Sequence, residues 1–175
     1  MINRILVALD DSQDKEIVFA EALDLAKREN AQLMLVHVLS TDERDRSPLT
    51  SLIPYSCSIT RAELVQRYEQ QKVEAERRSL ATLKQFAQEA ENNGIHTEVA
   101  QQVGNPRHLI CYLASKWGAD LIVVGQRKQS WLTQWLMGSV SRAVMHRSPC
   151  SVRVVRPAVR SNNEPPSSTE SIAAF

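Results

Sequence analysis

The sequence predicts a doubly wound α/β domain built on a five-stranded parallel sheet. Short apolar runs, typical of strands that are buried on both faces, alternate with segments in which apolar residues recur every three or four positions. Together with two strands that alternate polar and apolar residues, these runs make five predicted strands, which alternate with about four helical segments. This alternation favours parallel strands joined by crossover helices that cover both faces of the sheet.

The first strand, the first helix and the second strand form a βαβ unit. Residues 5–9 are an apolar run that ends abruptly at Asp10, and residues 33–39 are a second run. Between them, one helix face is made by Phe19, Ala22, Leu23 and Ala26. Ser12 or Asp14 could cap the start of this helix. The distance between the two strands suits one right-handed crossover.

A long loop and a long helix come next. Residues 40–60 include Pro48 and Pro54 and lack apolar periodicity, so we expect a long loop. Residues 61–93 are expected to form a long helix that is stopped by Gly94. Its second half carries an apolar stripe of Leu80, Leu83, Ala87 and Ala90. The mostly polar first half is expected to project from the domain or to contact a partner.

The third strand and the third helix have clear local signals. Residues 96–103 alternate as a strand does, and Asn105 and Pro106 then supply a helix cap and a first helical residue. The apolar face of this helix consists of Ile110, Leu113, Ala114 and Trp117. Gly118 ends the helix before the fourth strand, residues 121–124.

A last helix and a last strand complete the pattern. The helix begins at Gly138-Ser139, and the final strand runs from Val152 to Arg156. Arginines alternate with valines in this strand, which favours a position at the sheet edge or at an interface.

Composition limits the classes to which the chain can belong. With 175 residues, 43% of them hydrophobic, it is expected to form one domain over residues 1–156, followed by a disordered Pro- and Ser-rich tail over 157–175. The formal net charge of +1 offers no argument for nucleic-acid binding. The first apolar run is too short for a signal peptide or a membrane span. We therefore expect a cytoplasmic protein without membrane insertion.

The cysteines and histidines predict neither disulfides nor a metal site. Cys57, Cys111 and Cys150 are widely separated and odd in number, which favours free thiols. The histidines share no ligand spacing with one another or with a cysteine. His37 lies inside an apolar strand, so we expect a core histidine whose hydrogen bonds are satisfied.

An anion-binding pattern follows the fourth strand. That strand leads to Gly125, and after a loop Gly138-Ser139 opens a helix. Free N–H groups at a helix start, together with the helix dipole, can hold phosphate. Ligands of doubly wound sheets lie at the carboxyl ends of the strands. Functional residues are therefore expected at Asp10, near Val38 and after the fourth strand.

The chain resembles the universal stress protein family over about residues 2–156. Several segments carry the resemblance together, and none of them is decisive alone. These segments are Ile5-Leu6-Val7-Ala8-Leu9-Asp10, Gly104-Asn105-Pro106, Ala119-Asp120-Leu121-Ile122-Val123-Val124-Gly125, Gly138-Ser139 and Ser148-Pro149-Cys150-Ser151-Val152. The resemblance implies a Rossmann-like fold of the type shared by universal stress proteins and adenine nucleotide alpha hydrolases.

One loop departs from the family pattern. Nucleotide-binding members are similar to one another in a loop pattern of glycine, two residues, glycine, nine residues, and then glycine followed by Ser or Thr. In this chain Gly125, Gly138 and Ser139 match the pattern, but Lys128 stands where the second glycine is expected. If that position requires positive φ, lysine would cost about 1–2 kcal/mol, which would argue for a lost site. If φ is negative, Lys128 and Arg127 would bring cations to the phosphates. We favour a retained site because the other parts of the pattern are present.

The resemblance implies a site for ATP or AMP, with Mg²⁺ accompanying ATP. Asp10 would lie near the adenosine, the backbone around Val38 would meet the adenine, and the start of the last helix would meet phosphate or ribose. The implied nucleotide-binding residues are Ala8, Leu9, Asp10, Val38, Gly125, Arg127, Lys128, Gly138, Ser139, Val140 and Ser141. The alternative for Asp10 is an ordinary loop acid that caps the next helix, and for Gly138-Ser139 a plain turn and cap.

We interpret the chain as a regulatory protein in which ATP or AMP changes partner binding or the dimer. The resemblance also implies a homodimer in which the strand from Val152 to Arg156 pairs across a two-fold axis. Any ATP hydrolysis would be slow, because the sequence contains neither a P-loop pattern nor a recognisable nucleophile–base arrangement.

Two alternatives remain open. The main one is an interaction protein without nucleotide, in which Lys128 marks a degenerate site. The other is an enzyme of a different nucleotide-using α/β family, which would need an activating loop such as Ser-Gly-Gly-x-Asp-Ser after the first strand. This chain has Asp10-Asp11-Ser12-Gln13-Asp14 at that place, without the glycines.

Overall fold

The computed structural model describes residues 1–40, 61–126 and 138–156, and it confirms the predicted five-stranded parallel α/β sheet. The strands are β1 (Arg4–Leu9), β2 (Gln32–Ser40), β3 (Thr97–Gly104), β4 (Leu121–Gly125) and β5 (Ser151–Val155). The helices are α1 (Lys15–Glu29), α2 (Arg61–Asn92), α3 (Pro106–Trp117) and α4 (Ser139–Arg147). Predictions for residues 41–60, 127–137 and 157–175 lie outside the described part of the chain, Arg127 and Lys128 among them.

The strand order is β3-β2-β1-β4-β5, and every neighbouring pair is parallel. Strands β2 and β3 therefore follow one another on one side of β1, whereas β4 and β5 lie on its other side. The reversal makes a topological switch point between β1 and β4, where Ala8 pairs with Val124. Crevices at the carboxyl ends of strands on either side of such a point are the usual ligand sites of doubly wound sheets.

Two hydrophobic layers cover the sheet. On one face, Ile5, Val7 and Leu9 of β1 pack with residues of α1 and the second half of α2. On the other face, Leu6 packs with residues of α3 and α4. Phe19 of α1 stacks on Phe86 of α2 with ring centroids 4.4 Å apart, which joins the two helices of the first layer. Both faces of the central strands are covered, as continuous apolar runs require.

Helix α3 begins and ends as its local sequence predicts. The side chain of Asn105 accepts a hydrogen bond from the backbone N–H of Arg107 at 3.0 Å, and Pro106 is the first helical residue. Gly118 ends the helix with φ 71° in the left-handed region, which glycine adopts without steric cost. The same device ends α2 at Gly94, where φ is 79°.

The predicted side-chain capping of α1 is wrong. Asp14 is the residue before the helix, but φ −91° and ψ 0° place it in the helical region, and its side chain caps no N–H group. A capping side chain usually requires extended backbone at this position. Ser12 stands two residues before Asp14 and does not cap the helix either; its hydroxyl donates to the Asp10 carboxylate at 2.5 Å. The start of α1 therefore depends on the backbone carbonyl of Asp14, which accepts from Ile17 and Val18.

Strand and helix boundaries differ from the predictions by one residue or so. Strands β3 and β5 run over 97–104 and 151–155 rather than 96–103 and 152–156, because the hydrogen-bonded ladder rather than the apolar pattern defines the ends. Within the described residues β5 is an edge strand, as its arginines predicted. In α2 the docked residues are Leu83, Phe86, Ala87 and Ala90, so the predicted stripe gains Phe86, whereas Leu80 is half-buried and lies outside this core layer. No helix in the described ranges is long and apolar enough to cross a membrane.

Candidate functional site

The candidate site lies where the carboxyl ends of β1 and β4 meet. Residues Leu9 and Gly125 end these neighbouring strands, so the loops that leave them start side by side. The structure brings together the acid after β1, the glycine that ends β4 and the start of α4. Asp10 is separated by more than a hundred residues in the sequence from Gly125 and α4, and the pairing of β1 with β4 makes them neighbours.

The start of α4 presents backbone donors. Gly138 precedes the helix with φ −55° and ψ 150°, and its carbonyl accepts the N–H of Arg142 at 3.0 Å. The N–H groups of Ser139, Val140 and Ser141 lie in the first turn, where a helix supplies no partner of its own. No side chain caps them within the described residues. Because the helix dipole also places partial positive charge here, this turn is suited to an anion.

Ser141 holds the start of α4 against the sheet. Its side chain is buried, and its hydroxyl donates to the carbonyl oxygen of Gly125 at 2.7 Å. The hydroxyl hydrogen is therefore committed within the protein, so Ser141 would offer a ligand its backbone N–H rather than its side chain as a donor. The neighbouring Ser139 is exposed and Val140 is half-buried. The bond fixes the first turn of α4 relative to the end of β4.

Close packing against α1 explains why a glycine, Gly125, ends β4. A Cβ atom on Gly125 would lie 2.9 Å from Cγ2 of Val18 in α1, closer than such atoms approach in proteins. The close approach of α1 to β4 thus requires glycine whether or not a ligand binds. Gly138 does not have positive φ, so backbone strain does not require glycine there either. The sequence analysis assigned both glycines to a ligand site, and the packing of Gly125 against Val18 is a reason that it did not include.

Asp10 orders its own loop. One carboxylate oxygen, Oδ1, accepts the backbone N–H of Ser12 at 3.2 Å and the hydroxyl of Ser12 at 2.5 Å. This is a local Asx-type turn, which supports the interpretation of Asp10 as a loop-forming acid. The residue is nevertheless exposed and stands at the carboxyl end of β1. Both interpretations of Asp10 therefore remain compatible with its position.

The remaining residues implied to bind nucleotide, Ala8, Leu9 and Val38, differ in which of their atoms a ligand could reach. Leu9 has its side chain buried among the residues of the α1 and α2 layer, so only its backbone can reach a ligand. Ala8 and Val38 are half-buried and pack on the opposite layer, with α3 and α4. Their apolar side chains could line one wall of a ligand crevice on the side from which α4 begins.

His37 is buried as predicted, but its hydrogen bonds are not all satisfied. Nε2 lies 3.6 Å from the Asp11 carboxylate, whereas Nδ1 has no hydrogen-bond partner among the described residues. A cavity of about 10 Å³ adjoins the ring, and it is lined by Leu9, Asp10, Asp11, Lys15, His37, Ser79, Thr82, Leu83 and Phe86. This volume is close to that of a single water. The ring and its acid were not singled out together by the sequence, because nothing local relates strand β2 to the β1–α1 loop.

The pKa values of two other ionisable groups, Asp120 and Cys111, are shifted by their surroundings in the fold. The backbone N–H groups of Asn3 and Arg4, which bond the Asp120 carboxylate at 2.8 and 3.0 Å, lower the pKa of that carboxyl. Burial raises the pKa of the Cys111 thiol, and the neighbouring Cys150 adds to the effect. In the parts of the chain that the structure covers, no three His, Cys, Asp or Glu side chains are grouped to hold a metal ion.

Comparison with known proteins finds relatives over most of the chain. The model of the universal stress protein family matches residues 1–156. The chain is 32% identical over 154 residues to the universal stress protein Sll1388 of Synechocystis, which covers 87% of this chain and 97% of that protein. The structure of the universal stress protein UspA from Lactobacillus plantarum is similar with a TM-score of 0.68 and 24% identity, over 89% of this chain and 98% of that one. A universal stress protein family protein from Arabidopsis thaliana with AMP bound is similar with a TM-score of 0.58 and 18% identity, over 90% and 93% of the two chains.

Proposed function

Because the chain belongs to the universal stress protein family, we propose that it is a regulatory protein that binds adenine nucleotide at the carboxyl ends of β1 and β4. One observation carries the proposal: the uncapped first turn of α4 lies at the switch point of the sheet and is held there by the bond from Ser141 to Gly125. A helix start that faces the crevice of a doubly wound sheet is suited to phosphate.

The phosphate group would be bound by the first turn of α4. The N–H groups of Ser139, Val140 and Ser141 would donate to phosphate oxygens, and the hydroxyl of the exposed Ser139 would add a fourth donor. Hydrogen bonds to a charged acceptor contribute about 1.5–3 kcal/mol each, so a few of them suffice for micromolar affinity. Gly138 has no side chain to compete for these donors.

The adenosine would occupy the crevice between this turn and the ends of β1 and β2. Ala8 and Val38 are half-buried and would offer an apolar wall, and the exposed Asp10 would stand beside the ribose. Arg127 and Lys128 belong to the glycine loop outside the described residues. In this proposal they bring cations to the phosphates, which is the interpretation in which the site is retained.

The nucleotide would be AMP or ATP, with Mg²⁺ accompanying ATP. The Arabidopsis thaliana relative is described with AMP bound, which supports an adenine nucleotide without choosing the number of phosphates. The nucleotide would act in the cytoplasm as a signal that changes binding of a protein partner or the dimer, with at most slow hydrolysis.

The dimer would form through β5. Its outer edge pairs with no described strand, and Val152 and Val154 are half-buried on the α3 and α4 layer. Strand pairing across a two-fold axis, from Val152 to Arg156, would satisfy the open backbone groups of this edge. Size-exclusion chromatography with light scattering would detect it, and a monomer at micromolar concentration would contradict it.

Calorimetric titration of ligand-stripped protein with AMP, and separately with ATP and magnesium, tests the nucleotide proposal. In Gly138→Asp, a carboxylate at the start of α4 would occupy the N–H donors and repel phosphate, so affinity should fall by at least about tenfold. Gly138→Ala is the matched control, because φ −55° suits alanine and its methyl group cannot cap the helix.

The outcome separates the two leading functions. Saturable binding that Gly138→Asp abolishes and Gly138→Ala retains would support the nucleotide-binding protein. No heat and no displacement of a fluorescent adenine nucleotide at millimolar concentration would contradict it and favour the interaction protein without nucleotide. Melting curves of both variants would show whether a loss of binding reflects unfolding instead.

A further inference from the structure

The charges of this chain are segregated between the two faces of the sheet. Helices α3 and α4, which cover one face, contain no Asp or Glu. Their cationic residues are Arg107, Lys116, Arg142 and Arg147, accompanied by His108 and His146. Helix α1 on the other face mixes both signs, with Glu16, Glu21, Asp24 and Glu29 among its residues. The helices of this other face, α1 and α2, carry acids and bases in nearly equal number, so only the α3 and α4 face has an excess of one sign.

The side chains of α3 and α4 form one surface, which we call the basic face. Its residues are His108, Tyr112, Lys116, Arg142, Met145 and Arg147, all exposed. Nη1 of Arg147 lies 3.3 Å from both ring nitrogens of His108, so the two helices meet there through two basic groups. On α3, the Lys116 ammonium lies 5.8 Å from the centre of the Tyr112 ring.

The cations of the basic face are not neutralised by carboxylates in the described parts of the chain. Elsewhere Arg153 bonds Glu21, and Arg78 lies 3.3 Å from Glu74. In contrast, the ion pairs among the described residues include no cation of α3 or α4. Glu98 of β3 reaches the end of α3, where its carboxylate accepts the indole N–H of Trp117 and forms no ion pair with a described cation. Uncompensated charge of one sign on two adjacent helices attracts a partner of the opposite sign.

We propose that the basic face binds an acidic protein segment that also carries apolar side chains. The face combines Arg142 and Arg147 with two of the large apolar side chains that the structure leaves exposed, Tyr112 at 56% and Met145 at 50%. Arg, Tyr and Met are the residue types enriched in protein–protein interfaces, and Arg and Tyr are the types that most often dominate binding energy. Acidic groups of the partner would pair with the arginines while its apolar side chains cover the ring and the thioether.

The size of the face favours a protein segment over nucleic acid or a membrane. From His108 to Lys116, α3 rises about 12 Å, and a neighbouring helix axis lies about 8–10 Å away. A face of this length carries few cations, Lys116, Arg142 and Arg147 among the described residues, whereas nucleic-acid-binding proteins commonly neutralise about 6–10 phosphates. Stable attachment to an anionic membrane would need a larger basic cluster or an inserted apolar group. The proposal does not depend on nucleotide binding.

The experiment uses the full chain and a phage library of random dodecapeptides as the probe. The test variant, Lys116→Glu with Arg147→Glu, reverses charges in the last turns of α3 and α4, away from the first turn of α4. The matched control, Lys27→Glu with Arg28→Glu, makes the same change in net charge in the last turn of α1. Melting curves of both variants report on folding.

We expect peptides selected on the unaltered protein to be rich in Asp and Glu with interspersed apolar residues. Synthetic copies should bind the test variant at least about tenfold more weakly and the control within about twofold, with affinity falling as salt rises. Selection of neutral or basic peptides, or equal binding to the test variant, would overturn the proposal. Preferential binding of a dT20 oligonucleotide or of phosphatidylserine-containing vesicles would also overturn it.

Discussion

Replacement of Ser141 by alanine tests how the start of α4 is held at the candidate site. The hydroxyl of Ser141 donates to the Gly125 carbonyl at 2.7 Å, and the Ser141 side chain is buried with an exposed fraction of 4%. Removing the hydroxyl deletes this bond between α4 and β4. It also leaves the carbonyl of the half-buried Gly125 without that donor.

The magnitude follows from the two consequences. A lost hydrogen bond costs about 0.5–1.5 kcal/mol, and the same loss costs about 1–3 kcal/mol when the acceptor that is left behind finds no other donor. Alanine regains about 0.5 kcal/mol because it favours the helix more than serine does. We therefore expect the free energy of unfolding to fall by about 1–2 kcal/mol. For a chain of this length that corresponds to a melting temperature lower by about 3–6 °C.

Urea denaturation followed by circular dichroism measures the effect, with Ser139→Ala as the matched control. Ser139 stands in the same turn but is exposed, so the same substitution should leave the stability within about 0.5 kcal/mol. If Ser141→Ala were as stable as Ser139→Ala, the bond would contribute nothing and the reasoning would be refuted. A change in the denaturant slope would instead indicate that the unfolding is not two-state.

Three further predictions concern packing, pH and thiol reactivity. Gly125→Ala should lower the free energy of unfolding by about 1–3 kcal/mol in urea denaturation, because its Cβ would lie 2.9 Å from Val18 Cγ2. The double variant Gly125→Ala with Val18→Ala should lose less stability than the sum of the two single variants, because the shorter side chain removes the clash. Strict additivity of the two losses would contradict the contact. Asp120→Asn should destabilise the protein at neutral pH, because two backbone N–H groups lower the pKa of Asp120 in the folded state. A lowered folded pKa adds stability above the unfolded pKa of about 3.9 and loses it as pH falls through the folded pKa, so the deficit should shrink in acid; an equal deficit at pH 7 and pH 2 would be inconsistent with this cause. Burial raises the pKa of Cys111, so mass spectrometry should show slower iodoacetamide labelling at pH 8.5 than for cysteine in an unstructured peptide, and faster labelling would argue against a buried thiol.

Elements with strong local signals could be predicted closely from the sequence. Asn105, Pro106 and Gly118 bound α3 because capping, fixed φ and left-handed φ are properties of single residues and their near neighbours. Apolar runs likewise identified β1, β2 and β4, since strands covered on both faces tolerate few polar residues, and alternating apolar residues identified β3 and β5. The capping of α1 failed because residue type alone does not show that Asp14 has helical φ and ψ.

The sequence could predict which segments lie near the candidate site, but not the contacts and hydrogen bonds between them. The glycine after β4 and the Gly-Ser start of α4 were recognised from their types and spacing. That Gly125 is required by Val18, and that the Ser141 hydroxyl is committed to Gly125, depends on helices that approach from distant parts of the chain. The contribution of Lys128 stays a prediction, because it lies in the part of the loop that the structure does not describe.

The sequence by itself determined the alternation of strands and helices, and with it the family, whereas the edge of the sheet at which a ligand would bind stays a prediction. Only the tertiary structure decided which face each helix covers, and therefore that the cations of α3 and α4 share one surface while the acids of α1 lie on the other. Periodicity and capping act over a few residues and can be read along the chain. Side-by-side placement depends on the direction of each crossover, which is set by how the layers pack and not by the residues that are brought together.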